Sequence, residues 1–212
     1  MFITLEGPDG SGKTCQIPGL ADFLRQCGYD VLTTREPGGT GIGDQVRNVL
    51  MNLDNTAMHP RTEILLFQAS RAQLVHEVIV PNLEAGKVVI CDRYADSTIA
   101  YQGYGHQTDL QELHTIVNFA TGGLKPDLTI LFDLDAETGL RRRSADGDWN
   151  RLDAYALAFH ERVRAGYHTM AAAEPERWLT LDATKSIEDV QAELRRLVLS
   201  RLEVTTQEKR PE

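Results

Sequence analysis

The chain predicts an α/β fold of the doubly wound kind, a five-stranded parallel sheet with helices on both faces. Three observations carry this. Five short runs, Phe2–Glu6, Asp30–Thr34, Lys87–Asp92, Leu128–Asp133 and Trp178–Asp182, are apolar on both faces, as strands in a covered middle layer must be. The longer stretches between them read as helices, over residues 13–28, 42–53, 60–85, 109–121, 153–173 and 186–202. Strand, helix, strand in this order is the pattern of a parallel sheet, whose ligands gather at the carboxyl ends of the strands.

The first strand runs into the glycine-rich segment Gly7-Pro8-Asp9-Gly10-Ser11-Gly12, and a helix opens at Lys13. Pro18 and Gly19 fall early in that helix and predict a kink or a late start, because Pro removes a hydrogen bond and Gly is a poor helix former. Leu110, Leu113, Ile116, Val117 and Ala120 keep helical spacing, as do Val190, Leu194, Leu197 and Val198, and both stripes read as core faces. No repeat, low-complexity tract or Pro/Gly linker divides the chain, so residues 1–202 are expected to form one domain. The polar residues 203–212 are expected to be a frayed tail.

Composition narrows the function. The 22 basic residues against 31 acidic ones leave a net charge of −9, a poor basis for holding nucleic-acid polymers or anionic membranes. No apolar run approaches the length of a membrane span, and the N-terminus lacks the pattern of a signal peptide. Cys15, Cys27 and Cys91 lie far apart without zinc-ligand spacing, a set that suits plain thiols in a reducing cytoplasm. Of the basic residues 17 are Arg and 5 are Lys, and Arg is the side chain suited to bidentate grips on phosphate.

The segment Gly7-Pro8-Asp9-Gly10-Ser11-Gly12-Lys13-Thr14 fits G-x-x-x-x-G-K-[ST] at every fixed position. Its place between a buried strand and a helix is what a phosphate-binding loop requires. The glycines let successive amides turn toward phosphate oxygens, and the helix adds its positive end. Lys13 would reach the β- and γ-phosphates and the Thr14 hydroxyl would take Mg²⁺. No Asn-Lys-x-Asp guanine-reading segment is present, which disfavours a GTPase switch and leaves ATPases and small-molecule kinases open.

Four further segments stand where strand ends or adjacent helices converge on this loop. They are Thr34-Arg35-Glu36-Pro37-Gly38-Gly39-Thr40, the helical stretch from Leu65 to Gln73, the stretch from Asp92 to Gly103, and the Arg-rich stretch from Arg141 to Asp153. With the phosphate loop they resemble the thymidylate (dTMP) kinases over residues 2 to 200, in order and with similar spacing. The glycine-bearing loop and Arg-rich lid, about residues 141–153, resemble the bacterial type of this P-loop nucleoside-monophosphate kinase family.

The resemblance implies a three-layer P-loop kinase fold with a short lid, and the reaction ATP + dTMP → ADP + dTDP, a step in dTTP synthesis. It assigns ATP to Gly7 through Thr14, the metal to Thr14 and Asp92, and the acceptor phosphate to Arg93 and Arg47, with Arg35 and Glu36 close by. Phe67 would stack on the pyrimidine, and Arg71, one helical turn on, would donate to the carbonyl at ring position 4, disfavouring cytosine with its amino group there. Thr98 and Gln102 match positions at the base edge, Tyr101 one that crowds the sugar where a ribonucleotide carries its 2′-hydroxyl, and Asp9 one that contacts the 3′-hydroxyl. Catalysis falls to Lys13, Arg93 and one or more of Arg142, Arg143 and Arg151, with Gly147 lending the lid flexibility. The stretch Asp182-Ala183-Thr184-Lys185 resembles the adenine-side loop. A homodimer, through apolar helices between 42 and 85, is also implied. Cys15 stands where the family usually has a second Thr. The alternatives are a kinase for another nucleoside monophosphate, or a P-loop ATPase or switch module.

Overall fold

The computed structural model describes residues 1–146 and 150–208. Five parallel strands, β1 (Phe2–Glu6), β2 (Val31–Arg35), β3 (Val88–Asp92), β4 (Leu128–Asp133) and β5 (Trp178–Asp182), form one sheet in the order β2-β3-β1-β4-β5. β1 is central, with Ile3 registered against Ile90 on one side and Leu128 on the other. Jumping outward to β2, back across to β1's far side and on to β5 brings the carboxyl ends of β1, β2, β3 and β4 to one edge. There the phosphate loop follows β1.

Period-two alternation sends the strands' side chains to two cores. Ile3, Leu5, Ile90, Ile130 and Phe132 pack against α1 (Lys13–Gln26) and α9 (Ile187–Glu208) through Leu20, Leu24, Leu194 and Val198. On the other face Phe2, Val89 and Cys91 meet Leu74, Val75 and Ile79, while Leu131 meets α8 (Leu157–Ala173) through Phe159, Val163 and Tyr167. The remaining helices are α2 (Gly41–Met51), α3 (Pro60–Leu74), α4 (Val80–Glu84), α5 (Ala95–Thr98), α6 (Leu110–Thr121) and α7 (Ala136–Asp146).

Several sequence expectations change. α1 runs unbroken from Lys13 through Pro18, with no late start. Pro18 is on the exposed side, where water can stand in for the missing donor. Gly19 has a packing reason: a Cβ there would lie 3.0 Å from the Gln191 side chain of α9, and Arg195 donates to the Gly19 carbonyl at 3.1 Å. The single helix expected over 60–85 is interrupted by a π-helical turn, Val75–Ile79, just before Pro81, which has no N–H for a regular ladder. A second π-helical turn, Ile99–Gly105, continues α5 after β3, a region where Gly103 and Gly105 hide helical periodicity. α7 is helical despite its polar sequence, and α8 begins at Leu157 rather than 153. α9 continues past residue 202 to Glu208.

Leu20 is fully buried between α1 and the sheet. Leu20→Ala is expected to lower unfolding stability by about 2–5 kcal/mol, read from denaturant unfolding curves.

Candidate active site

A cavity of about 890 Å³ opens at the carboxyl edge of the sheet. Its floor is the phosphate loop, with Asp9, Gly10, Gly12, Lys13 and Thr14 on the wall. Gly10 has φ +74° and Gly12 φ +83°, left-handed backbone that lets the loop curl around its own lysine. Lys13 Nζ donates to the carbonyls of Gly7 at 2.9 Å and Pro8 at 2.8 Å and to Ser11 Oγ at 3.0 Å. Gly7, Pro8 and Ser11 thus hold the lysine from outside the cavity wall. Burial, reinforced by the neighbouring Arg93, pushes the Lys13 ammonium down to about 7.

Beneath the loop Thr14 Oγ1 donates to Asp92 Oδ2 at 2.5 Å, joining the start of α1 to the end of β3. A hydroxyl and a carboxylate side by side are hard oxygen donors of the kind Mg²⁺ takes, with its other positions left to water and phosphate oxygens. Among the described residues no cluster of three or more His, Cys, Asp or Glu forms a metal cage.

Arg93, the residue after Asp92, has φ +67°, a conformation uncommon outside glycine, and its N–H still donates to the Leu5 carbonyl at 3.0 Å. The turn aims its side chain back across β1. There Nη2 meets Asp9 Oδ1 at 2.7 Å and Tyr101 Oη at 3.1 Å, and Nη1 meets the Gly7 carbonyl, Ser97 and Tyr167. Tyr101 donates to the other Asp9 oxygen at 2.5 Å. Burial works against an ionised Asp9, but Arg93, Lys13 and the Tyr101 hydroxyl outweigh it and hold the carboxyl below its usual range.

Arg35 and Arg47 stand on the cavity wall beside this cluster, and Arg47 donates to the Pro37 carbonyl at 2.9 Å. Burial, and then the charge of Arg35, lowers the Arg47 guanidinium from its ordinary value. Phe67, Arg71, Thr98, Tyr101 and Gln102 line the far end. Arg71 is 1% exposed and all five of its N–H groups are engaged, by Glu36 Oε2, Gln68 Oε1, Thr98 Oγ1 and the Tyr94 carbonyl. A base carbonyl meeting Arg71 would therefore share one of these donors. Glu36 Oε1, at the same wall, is buried with no hydrogen-bond partner among the described residues.

On the opposite rim Arg142 and Arg143 of α7 reach the cavity together with Lys185, Ser186 and Ile187 from the turn after β5. Arg142 donates to the Ala183 carbonyl at 3.1 Å, and Arg143 pairs with Asp153 at 3.1 Å. Gly147 lies outside the described residues. Arg151 is placed elsewhere: it is 7% exposed and does not line the cavity, binding the Leu50 carbonyl at 3.0 Å and Glu63 at 2.6 Å.

Three site residues escape a reading of motifs. Glu6, at the end of β1, accepts from Tyr94 N at 2.7 Å, Ser97 Oγ at 2.6 Å and Tyr167 Oη at 2.9 Å. Burial, and then the Asp96 charge, raises its carboxyl to about 7. The signal was an acid closing an apolar strand. Tyr167, fully buried on α8, gave none beyond its place in a helix. Gly139 lies where α7 crosses the phosphate loop: a Cβ there would sit 2.3 Å from the Asp9 carbonyl, and one on Gly10 would sit 2.1 Å from the Gly139 carbonyl. A glycine inside a helix was the available sign.

A glycine-turned loop with a buried lysine, a hydroxyl–carboxylate pair below it and a ring of arginines at one sheet edge define a P-loop phosphotransferase. The family model described as thymidylate kinase matches residues 5–194, and the chain belongs to the thymidylate kinase family. It is 52% identical to the thymidylate kinase of Roseiflexus castenholzii, over 93% of this chain and 92% of that one. It is 50% identical to that of Deinococcus radiodurans, over 92% and 94%. The crystal structure of thymidylate kinase from Ehrlichia chaffeensis superposes with a TM-score of 0.76 at 35% identity, covering 94% of this chain and 98% of that chain.

Gly139→Ala is expected to lift α7 from the loop and weaken ATP binding by about tenfold or more, read by calorimetric titration, with the fold retained in circular dichroism.

Proposed function

We propose that this chain transfers the γ-phosphoryl group of ATP to dTMP, giving ADP and dTDP. The observation that carries this is one cavity holding a phosphate loop at one end and a second arginine group, with an aromatic and hydrogen-bonding wall, at the other. That is room for two anions placed phosphate to phosphate. Family membership and relatives named thymidylate kinase support the choice of acceptor.

The acceptor phosphate has a second pKa of about 6, so its attacking oxygen is already anionic at pH 7 and no general base is needed. The chain's work is placement and charge stabilisation along an in-line path. Loop amides cradle the donor phosphates while Lys13 turns from the Gly7 and Pro8 carbonyls to phosphate oxygens. Arg93, Arg47 and Arg35 receive the acceptor phosphate. Asp9, held by Arg93 and Tyr101, accepts from the sugar hydroxyl, and Tyr101 limits space at the 2′ position. Phe67 covers the ring face, and Arg71, Thr98 and Gln102 meet its edge. Arg142 and Arg143, already on the cavity rim, meet the transferring group as the lid closes, while Arg151 anchors the lid stem. Mg²⁺ held by Thr14 and Asp92 would supply neutralising charge on the β- and γ-oxygens. The turn from Asp182 to Ile187 borders the adenine.

A homodimer belongs to the same proposal, supported by exposed apolar side chains on α2, α3 and α6: Ile42, Val49, Leu65 and Phe119, the last 89% exposed. A cytoplasmic setting is supported by three cysteines without disulfides, and no described helix is long and apolar enough to cross a membrane.

A coupled ADP-release assay over a panel of monophosphates tests the acceptor. dTMP should give the highest kcat/KM, and faster turnover of dCMP or UMP, or ATP hydrolysis indifferent to any acceptor, would contradict the proposal. Arg93→Ala should lower kcat/KM for dTMP by at least about a hundredfold while ATP binding changes little. Chelating divalent cations should stop turnover, and Mg²⁺ should restore it.

A further inference from the structure

Glu63, in the first turn of α3, is 1% exposed, yet four side chains from two distant parts of the chain converge on it. Gln102 Nε2 donates to its Oε1 at 2.7 Å, and His106 Nε2 lies 3.2 Å from the same oxygen. Arg151 Nη2 is 2.6 Å from Oε2, and Tyr155 Oη donates to that oxygen at 3.3 Å. Arg151 in turn donates to Tyr155 Oη at 3.0 Å. Glu63 thus joins the π-helical turn after β3, which carries a wall of the cavity, to the stem on which the lid returns to α8.

The chemistry of the contact decides which way Gln102 faces. Burial opposes ionisation of Glu63, but its contacts with His106, Gln102 and Arg151 outweigh it and hold the carboxyl below the usual range. A carboxylate only accepts hydrogen bonds, so the Gln102 amide must turn its NH₂ toward Glu63. Its carbonyl Oε1 is then the atom left for the cavity that Gln102 lines, and it accepts no hydrogen bond from any described residue. Turning the amide over would set Oε1 against the carboxylate. An acceptor locked at this wall suits a pyrimidine whose N3 carries a hydrogen, as thymine does, and opposes cytosine, whose N3 offers a lone pair.

We propose that Glu63 is a positioning residue for base selection: it locks the Gln102 carbonyl toward N3–H of the acceptor base and ties the lid stem, through Arg151, to the same carboxylate. This rests on dTMP being the acceptor. Lid attachment and base selection then share one buried charge without Glu63 touching either substrate.

The test compares kcat/KM for dTMP and dCMP in wild type, Glu63→Gln and Arg151→Met. A glutamine at 63 can donate as well as accept, which frees the Gln102 amide to turn. Glu63→Gln is expected to cut the dTMP-to-dCMP ratio by about tenfold or more, mainly through a raised KM for dTMP. Arg151→Met, which leaves the Glu63–Gln102 contact in place, is expected to alter kcat while the ratio stays within about twofold. If Glu63→Gln does not fold, Glu63→Asp takes its place: the shorter carboxylate retracts from Gln102, and the same fall is expected. A ratio within about twofold of wild type in whichever variant folds overturns the proposal, because a merely structural role would leave selectivity unmoved. Wild-type protein that does not phosphorylate dTMP overturns the acceptor assignment and this inference with it. Wild-type activity with an unchanged ratio in the variant overturns this inference alone.

Discussion

Lys13 and six arginines line one cavity, and buried like charges cannot lie together unless something neutralises them. This constraint shapes the site. Each of four arginines in or beside the cavity is held by a carboxylate: Arg93 by Asp9, Arg71 by Glu36, Arg143 by Asp153 and Arg151 by Glu63. Lys13 has no such partner and is held by two carbonyls and a hydroxyl instead, which is why burial depresses it. Ion pairs of this kind contribute little net stability against their desolvation, but they fix guanidinium planes before substrate arrives. The net charge of −9 is a sum over the whole chain and does not describe the site, which runs on local pairing.

The same pairing explains why distant segments must meet. Asp9 lies in the loop after β1, Arg93 after β3 and Tyr167 on α8, yet Arg93 touches both of the others. The central position of β1 makes this possible, since β3 and β4 flank it and deliver their ends to the same edge. Close backbone approach does the rest. Gly10 and Gly139 let α7 lie on the loop, so the helix carrying Arg142 and Arg143 is anchored against the glycine-rich segment after β1.

Much of this was legible in the residues. The five runs located every strand to within a residue, but only β1, β3 and β4 are covered on both faces; the edge strands β2 and β5 expose Thr33, Arg35, Thr180 and Asp182. The phosphate loop was legible because its function is performed by a contiguous segment with rigid conformational demands. Arg93 and Tyr101 were legible from their motif. α7 and the π-helical turns were not, because a polar helix with an internal glycine and turns rich in glycine carry no apolar stripe. Arg151 was grouped with the lid arginines by its place in an Arg-rich run, although its side chain turns away toward Glu63.

The sequence by itself determined the fold class, the place of the glycine-rich loop and the family, since these rest on local periodicity and on short contiguous segments. Only the tertiary structure decided which side chains share a charge. It put Glu63 between Gln102 and Arg151, closed Glu6 beneath Arg93, and turned Arg71 fully onto its neighbours. The physical reason is that a hydrogen bond or ion pair depends on separation in space, and residues 39 or 88 positions apart along the chain carry no periodic trace of meeting.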